Sequence, residues 1–164
     1  MDFTGSWSAF DFFEDLTKSN RLTRRYGFQP ILVSGLQGFL DAISVSRESP
    51  NIIAVDETSE GLTELANAPH RKIVKTVYMA MKHKPGDQQA RDLCFTVMLE
   101  IHRQFMSKII RERTKIEQNM IAIAPAVSYA EMDRYFCTGQ ACAYFQLSAT
   151  LNFDLRYNSD EWIS

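Results

Sequence analysis

The sequence predicts an α+β fold: one domain over residues 1–164, a single mainly antiparallel sheet whose long strands pack against a long amphipathic helix and N-terminal helices. Three observations carry this. Residues 146–157 alternate polar and apolar for twelve positions. Side chains leave a strand on opposite faces at every second residue. Leu147, Ala149, Leu151, Phe153, Leu155 and Tyr157 therefore form an apolar face, and Gln146, Ser148, Thr150, Asn152, Asp154 and Arg156 a hydrophilic one. Such a ribbon would span roughly 40 Å, about twice the usual strand. A second run of strand character covers residues 72–83. From Gln88 onward, Ala90, Leu93, Cys94, Val97, Met98, Ile101, Phe105 and Ile109 repeat at i, i+3, i+4 and i+7, the spacing of one helix face.

The elements follow in order. Ser8 is a suitable N-cap for a helix over 8–25, with Phe10, Phe13, Leu16 and Asn20 on one face and Phe12 beside it. Arg21, Arg24 and Arg25 suit its C-terminal end, and Gly27 stops it. Ile31–Val33 reads as a short strand. Ser34 then caps a brief helix whose Leu36, Phe39, Leu40 and Ile43 share a face. Ile52–Val55 is apolar at every position, as in a strand covered on both sides, and follows Pro50-Asn51. Residues 56–71 read as an exposed acidic loop.

In 72–83, Ile73, Val77, Met79 and Met81 share one face with Lys75, while Val74, Thr76, Tyr78 and Ala80 share the other. Lys84-Pro85-Gly86 ends this strand, and Asp87 caps the long helix, which extends to 119 or breaks near Ser107. Residues 120–127 form a strand candidate containing Pro125. Residues 128–142 read as irregular, with a turn at Thr138-Gly139, and the alternating strand follows. The helical part is thus 1–48 and the sheet with its covering helix 50–157.

Composition restricts the function. At 164 residues, 45% hydrophobic and 23% charged, the chain is a soluble globular protein that needs no disulfide or metal to fold. A net charge of −2 argues against a general nucleic-acid binder but says nothing about how charge is distributed. Cys94, Cys137 and Cys142 are an odd number, the start has no basic leader, and no apolar run reaches membrane-spanning length. Synthesis in a reducing cytoplasm is the expectation.

Catalytic patterns are missing. Ser34-Gly35-Leu36-Gln37-Gly38 lacks the lysine of a phosphate loop, and no His-Glu-x-x-His or Gly-x-Ser-x-Gly occurs. His70, His83 and His102 have no neighbouring Cys or carboxylate at ligand spacing, so no metal and no cofactor is expected. Cys137 and Cys142 are spaced too widely for a Cys-x-x-Cys pair and read as small buried hydrophobes, as does Cys94. Asp56 and Glu57 follow an apolar strand, where α/β enzymes hold a catalytic acid, but they read as solvated loop acids.

The order of elements resembles the small α+β subunits that finish tailed-phage tails, the tail terminator or tail-completion proteins. The resemblance rests on Pro50-Asn51-Ile52-Ile53-Ala54-Val55, an acidic loop, the strand 72–83, the helix Asp87–Phe105, and the late strand Ala149–Tyr157. It covers roughly residues 50–157 and extends to the first helix. It implies a non-enzymatic virion or prophage protein, assembled in the bacterial cytoplasm. Such a protein closes a homo-oligomeric ring, usually a hexamer, on the end of the tail tube. Its partners would be copies of itself, the tail-tube protein and the head connector, with DNA passing through the lumen without sequence-specific contact and no membrane involved. Residues 28–48 and 107–118 exceed what a minimal member needs, so neck and head-closure roles stand beside the terminator role. On this view Gln146, Thr150, Asn152, Asp154 and Arg156 lie at an interface or lumen, with Lys75 and Lys82 as partners. The competing expectation is a small enzyme or ligand-binding domain, with a pocket between the 88–106 helix and the sheet. Its candidate polar groups are His83, Cys137, Cys142 and Asp56.

Overall fold

The protein is α+β: one mixed seven-stranded sheet packed with a long helix and three shorter ones among the described residues. The computed structural model describes residues 7–44, 50–66, 70–118, 121–152 and 155–163, with the backbone alone at Ile121 and Asn152.

Helix α1 (Ala9–Ser19) starts where Ser8 Oγ accepts from the Asp11 amide at 3.1 Å. The expected single helix over 8–25 is two. Asn20 takes extended backbone and ends α1, and its Oδ1 accepts from the Leu22 and Thr23 amides, starting α2 (Arg21–Arg25). The same side chain reaches the long helix, donating to Gln104 Oε1 at 2.8 Å. One asparagine therefore breaks, caps and anchors the segment. Gly27, at φ +69°, turns the chain into β1 (Gln29–Val33).

Strand β1 pairs in parallel with β2 (Ile52–Asp56), with helix α3 (Gly35–Ser44) between them in sequence. All other pairings are antiparallel. Strand β2 is buried at every position, as its unbroken apolar run requires. The acidic segment expected to be a loop contains a strand, β3 (Glu60–Glu64), which folds back on β4 (His70–Lys82). Four of its five residues are exposed, so it carries no apolar signature to find.

The long helix, α4, runs unbroken from Gln88 to Glu117, roughly 45 Å. Asp87 caps it by accepting from the Ala90 amide at 2.9 Å. Its polar last third does not break near Ser107, because Lys108–Glu112 and Arg113–Glu117 pair one turn apart and Ile109 and Ile116 stay buried. Leu93, placed on the apolar stripe by spacing, is 56% exposed, whereas Phe95 is buried.

The C-terminal half departs most from expectation. Residues 120–127 keep only the short strand β5 (Ile121–Ile123), and the supposedly irregular 128–142 holds β6 (Ser128–Glu131) and the start of β7. Strand β7 runs from Gln140 to Asn152, thirteen residues, rather than 146–157. Phe153 lies outside the described residues, and Leu155 and Tyr157 are exposed on irregular chain. The sheet runs β1-β2-β4-β7-β5, with β3 on the β2 side of β4 and β6 on the β5 side of β7.

Two cores result. Helices α1 and α4 cover one face, where Phe13, Met98, Ile101, Phe105, Val77, Met79, Phe145 and Leu147 are at most 1% exposed. Each such side chain contributes about 1.5–3 kcal/mol of burial. Helix α3 covers part of the other face, over Ile52, Ala54, Tyr78, Ala80 and Cys142. Phe39 stacks on the Tyr78 ring at 4.7 Å between centroids.

Candidate interaction face

Strands β4 and β7 pair in register along all thirteen residues, from His70 opposite Asn152 to Lys82 opposite Gln140. The pairing sorts their side chains. Ile73, Lys75, Val77, Met79 and Met81 share the α1/α4 face with Ala149, Leu147, Phe145, Ala143 and Ala141. The other face divides lengthwise. At one end Tyr78, Ala80, Cys142 and Tyr144 lie in the cluster beneath α3. Beyond them the surface is polar: Lys72 is exposed, and Val74, Thr76, Gln146, Ser148 and Thr150 are half-buried. Strand β3 widens this open half, with Leu62 opposite Lys72 and 63% exposed. Gln146 Nε2 donates to Thr76 Oγ1 at 3.2 Å across the strands.

The residues singled out from sequence separate on this frame. Gln146 and Thr150 lie on the open half. Asn152 ends β7 at the same end, Asp154 is outside the described residues, and Arg156 is exposed on the chain that follows. Lys75 lies on the opposite face, where its Nζ donates to the Glu57 and Thr58 carbonyls at 3.1 and 3.2 Å. It ties down the loop after β2 and does not share a face with Gln146. Lys82 sits at the far end of β4, with its amide donating to Asn51 Oδ1 at 3.0 Å. Thr76 and Lys72 are the neighbours that sequence reasoning did not single out; register, not alternation, identifies them.

The polar groups of the competing expectation also separate. Asp56 is buried at 7% exposure rather than solvated. Its Oδ1 accepts from the Gly35 amide at 3.0 Å, the Thr58 amide at 2.9 Å and Thr58 Oγ1 at 2.7 Å. The carboxylate thus joins the start of α3 to the end of β2. His83 and Cys137 do share a cleft of about 190 Å³, with Arg91 and Arg134. Burial raises the Cys137 thiol, and burial with the neighbouring Cys137 pushes Cys142 up to about 12. Both thiols are therefore protonated near neutrality and poor nucleophiles. Among the described residues no group of three or more His, Cys, Asp or Glu is placed to hold one metal ion.

The space between the first half of α4 and the sheet is filled by core. A hollow of about 210 Å³ instead opens beside the helix's second half, against β5 and the segment after it. Met106, Ile109, Ile110, Ile123 and Val127 line it, with His102. The His102 ring lies 4.9 Å from both Tyr129 and Phe145, and neither His102 Nδ1 nor Tyr129 Oη has a hydrogen-bond partner. Burial lowers the His102 pKa below 6.5, and burial, with Glu131, raises Tyr129 to about 12. The unfolded chain then takes up a proton at His102 before the folded one does. Stability is full above pH 6.5 and declines as pH falls through the lowered folded value. Urea midpoints measured from pH 8 to pH 5 should fall less for His102→Phe than for the wild type. Equal declines would show that another group governs the acid limb.

No protein-family model matches the chain, and a search of curated proteins finds no match.

Proposed function

We propose that the protein is a non-enzymatic structural subunit that works by closing a homo-oligomeric ring, in the manner of the tail terminator and tail-completion proteins it resembles. One observation carries the reading. The two longest strands pair over thirteen residues, yet helices cover most of one face and a smaller part of the other. The open half exposes hydroxyl, amide and ammonium groups of Thr76, Thr150, Gln146 and Lys72 in one plane. Such a surface suits a neighbouring subunit or a hydrated lumen, and its mostly uncharged polar groups permit DNA to pass without being held. Ring closure on the last layer of a tail tube would stop its growth and offer a flat surface to the head connector.

Adding the protein to polymerising subunits of its cognate tail tube tests this. Tubes should stop growing and carry a ring at one end in electron micrographs. Unchanged tube growth with bare ends would contradict the proposal.

A second reading, a small ligand-binding or catalytic domain, draws on the cleft that brings His83 and Cys137 together with Arg91 and Arg134. Its weakness is chemical, since the thiol there is raised by burial and stays protonated.

A further inference from the structure

The cleft of about 190 Å³ lies where three stretches of chain meet: the turn after β4, the first turn of α4, and the connection from β6 to β7. Backbone fixes its frame. The His83 amide donates to the Gly139 carbonyl at 3.0 Å, and Gly86 and Gly139 take φ of +80° and +75°, which glycine adopts without strain. Two arginines line the cleft, Arg91 from α4 and Arg134 from the β6–β7 connection. Neither has an ion-pair partner among the described residues. The Arg91 guanidinium lies 4.5 Å from the centre of the Phe95 ring, and its Nη2 donates to the Met132 carbonyl at 3.1 Å. Its Nε is buried and has no hydrogen-bond partner among the described residues. A cation partly withdrawn from water, with a donor left unpaired, is costly unless an anion accompanies it.

The lining residues do not supply that anion. Asp87 is the one acid among them, and its Oδ1 accepts from the Ala90 amide at 2.9 Å, which commits it to capping α4. Cys137 stays neutral, because burial raises its thiol. We propose that the cleft binds a phosphate group between the Arg91 and Arg134 guanidiniums. A planar carboxylate is satisfied edge-on by one guanidinium, whereas phosphate oxygens point in several directions and can meet donors on separate elements. Half-buried Arg91 forms the floor of the site, and exposed Arg134 closes it from the solvent side. The remaining space takes waters or the first atoms of a phosphate ester. The site does not depend on the ring reading, since none of its lining residues belongs to the open half of the sheet.

Titration of the wild-type protein tests the site, with inorganic phosphate and with glycerol phosphate, each at constant ionic strength. Proton–nitrogen correlation spectra follow the Arg91 Nε–H, identified by its disappearance in Arg91→Lys, and the Thr138 amide. Both signals should shift and saturate, and the ester or the free ion, whichever saturates at lower concentration, is the source of the group. Arg134→Gln changes an exposed side chain, so the fold should persist while binding weakens about tenfold or more. Shifts that never saturate, that spread equally over the other basic side chains, or that are unchanged in Arg134→Gln would mean general ion effects and overturn the site. Acetate binding as tightly as phosphate would overturn the assignment to a phosphate group.

Discussion

Replacing Phe145 with alanine should destabilise the protein by about 3–5 kcal/mol. Phe145 is fully buried on β7, packed edge-on against Phe13 of α1 at 5.5 Å and 4.9 Å from His102 of α4. Phe13 closes the same junction from α1 by meeting Phe105 of α4 at 6.3 Å, so truncating Phe145 opens a cavity where three elements meet. A loss of that size is a large share of the total stability of about 5–15 kcal/mol usual for a domain. Urea denaturation followed by circular dichroism measures it, with Leu93→Ala, on the exposed side of α4, as the control expected to move less than about 1 kcal/mol. A Phe145→Ala loss no larger than the control's would mean that the two helices do not depend on this ring.

The second large effect is expected at Asp56. Alanine there removes the acceptor for three part-buried hydrogen bonds, from the amides of Gly35 and Thr58 and the Thr58 hydroxyl. The cost should be about 1.5–3 kcal/mol, because these bonds go to a charged acceptor. Asparagine keeps an oxygen in place and should cost roughly half as much. Denaturant midpoints give the sizes, and amide resonances of Gly35 and Thr58 should shift in the alanine variant. Stability within about 0.5 kcal/mol of the wild type would show that the carboxylate is dispensable and that α3 docks through Phe39 and Ile43 alone.

How much of this was legible in the sequence depends on which faces are wet. The helix from Gln88 declared itself because one side meets water and the other meets Val77, Met79 and Phe145, so polarity tracks a helical period. The alternation that marks strand β7 begins six residues after the strand does. Between Ala141 and Phe145 both of its faces are covered, by α4 and by α3, and Cys142 and Tyr144 erase the alternation that marks a half-wet strand. Past Asn152 the alternation continues in sequence, yet Leu155 and Tyr157 have no sheet beneath them. Strand β3 was hidden for the opposite reason, since both its faces are exposed.

The candidate face was half legible. Gln146 and Thr150 follow from alternation alone, whereas their partners Thr76 and Lys72 follow only from the antiparallel register, which no single strand encodes. Lys75 shows the hazard in choosing charged residues without it. It interrupts an apolar face and serves the loop at Glu57 and Thr58. Asp56 read as a solvated loop acid because its partners, two backbone amides and one hydroxyl, leave no trace in residue spacing.

The most direct measurement is the mass of the native protein in solution, followed by light scattering as concentration rises and repeated in the presence of tail tubes. A molecule that works by closing a ring on the end of a tube should reach one closed stoichiometry and then stop, without a ladder of larger species. A single 18.8 kDa particle under every one of those conditions would contradict the account.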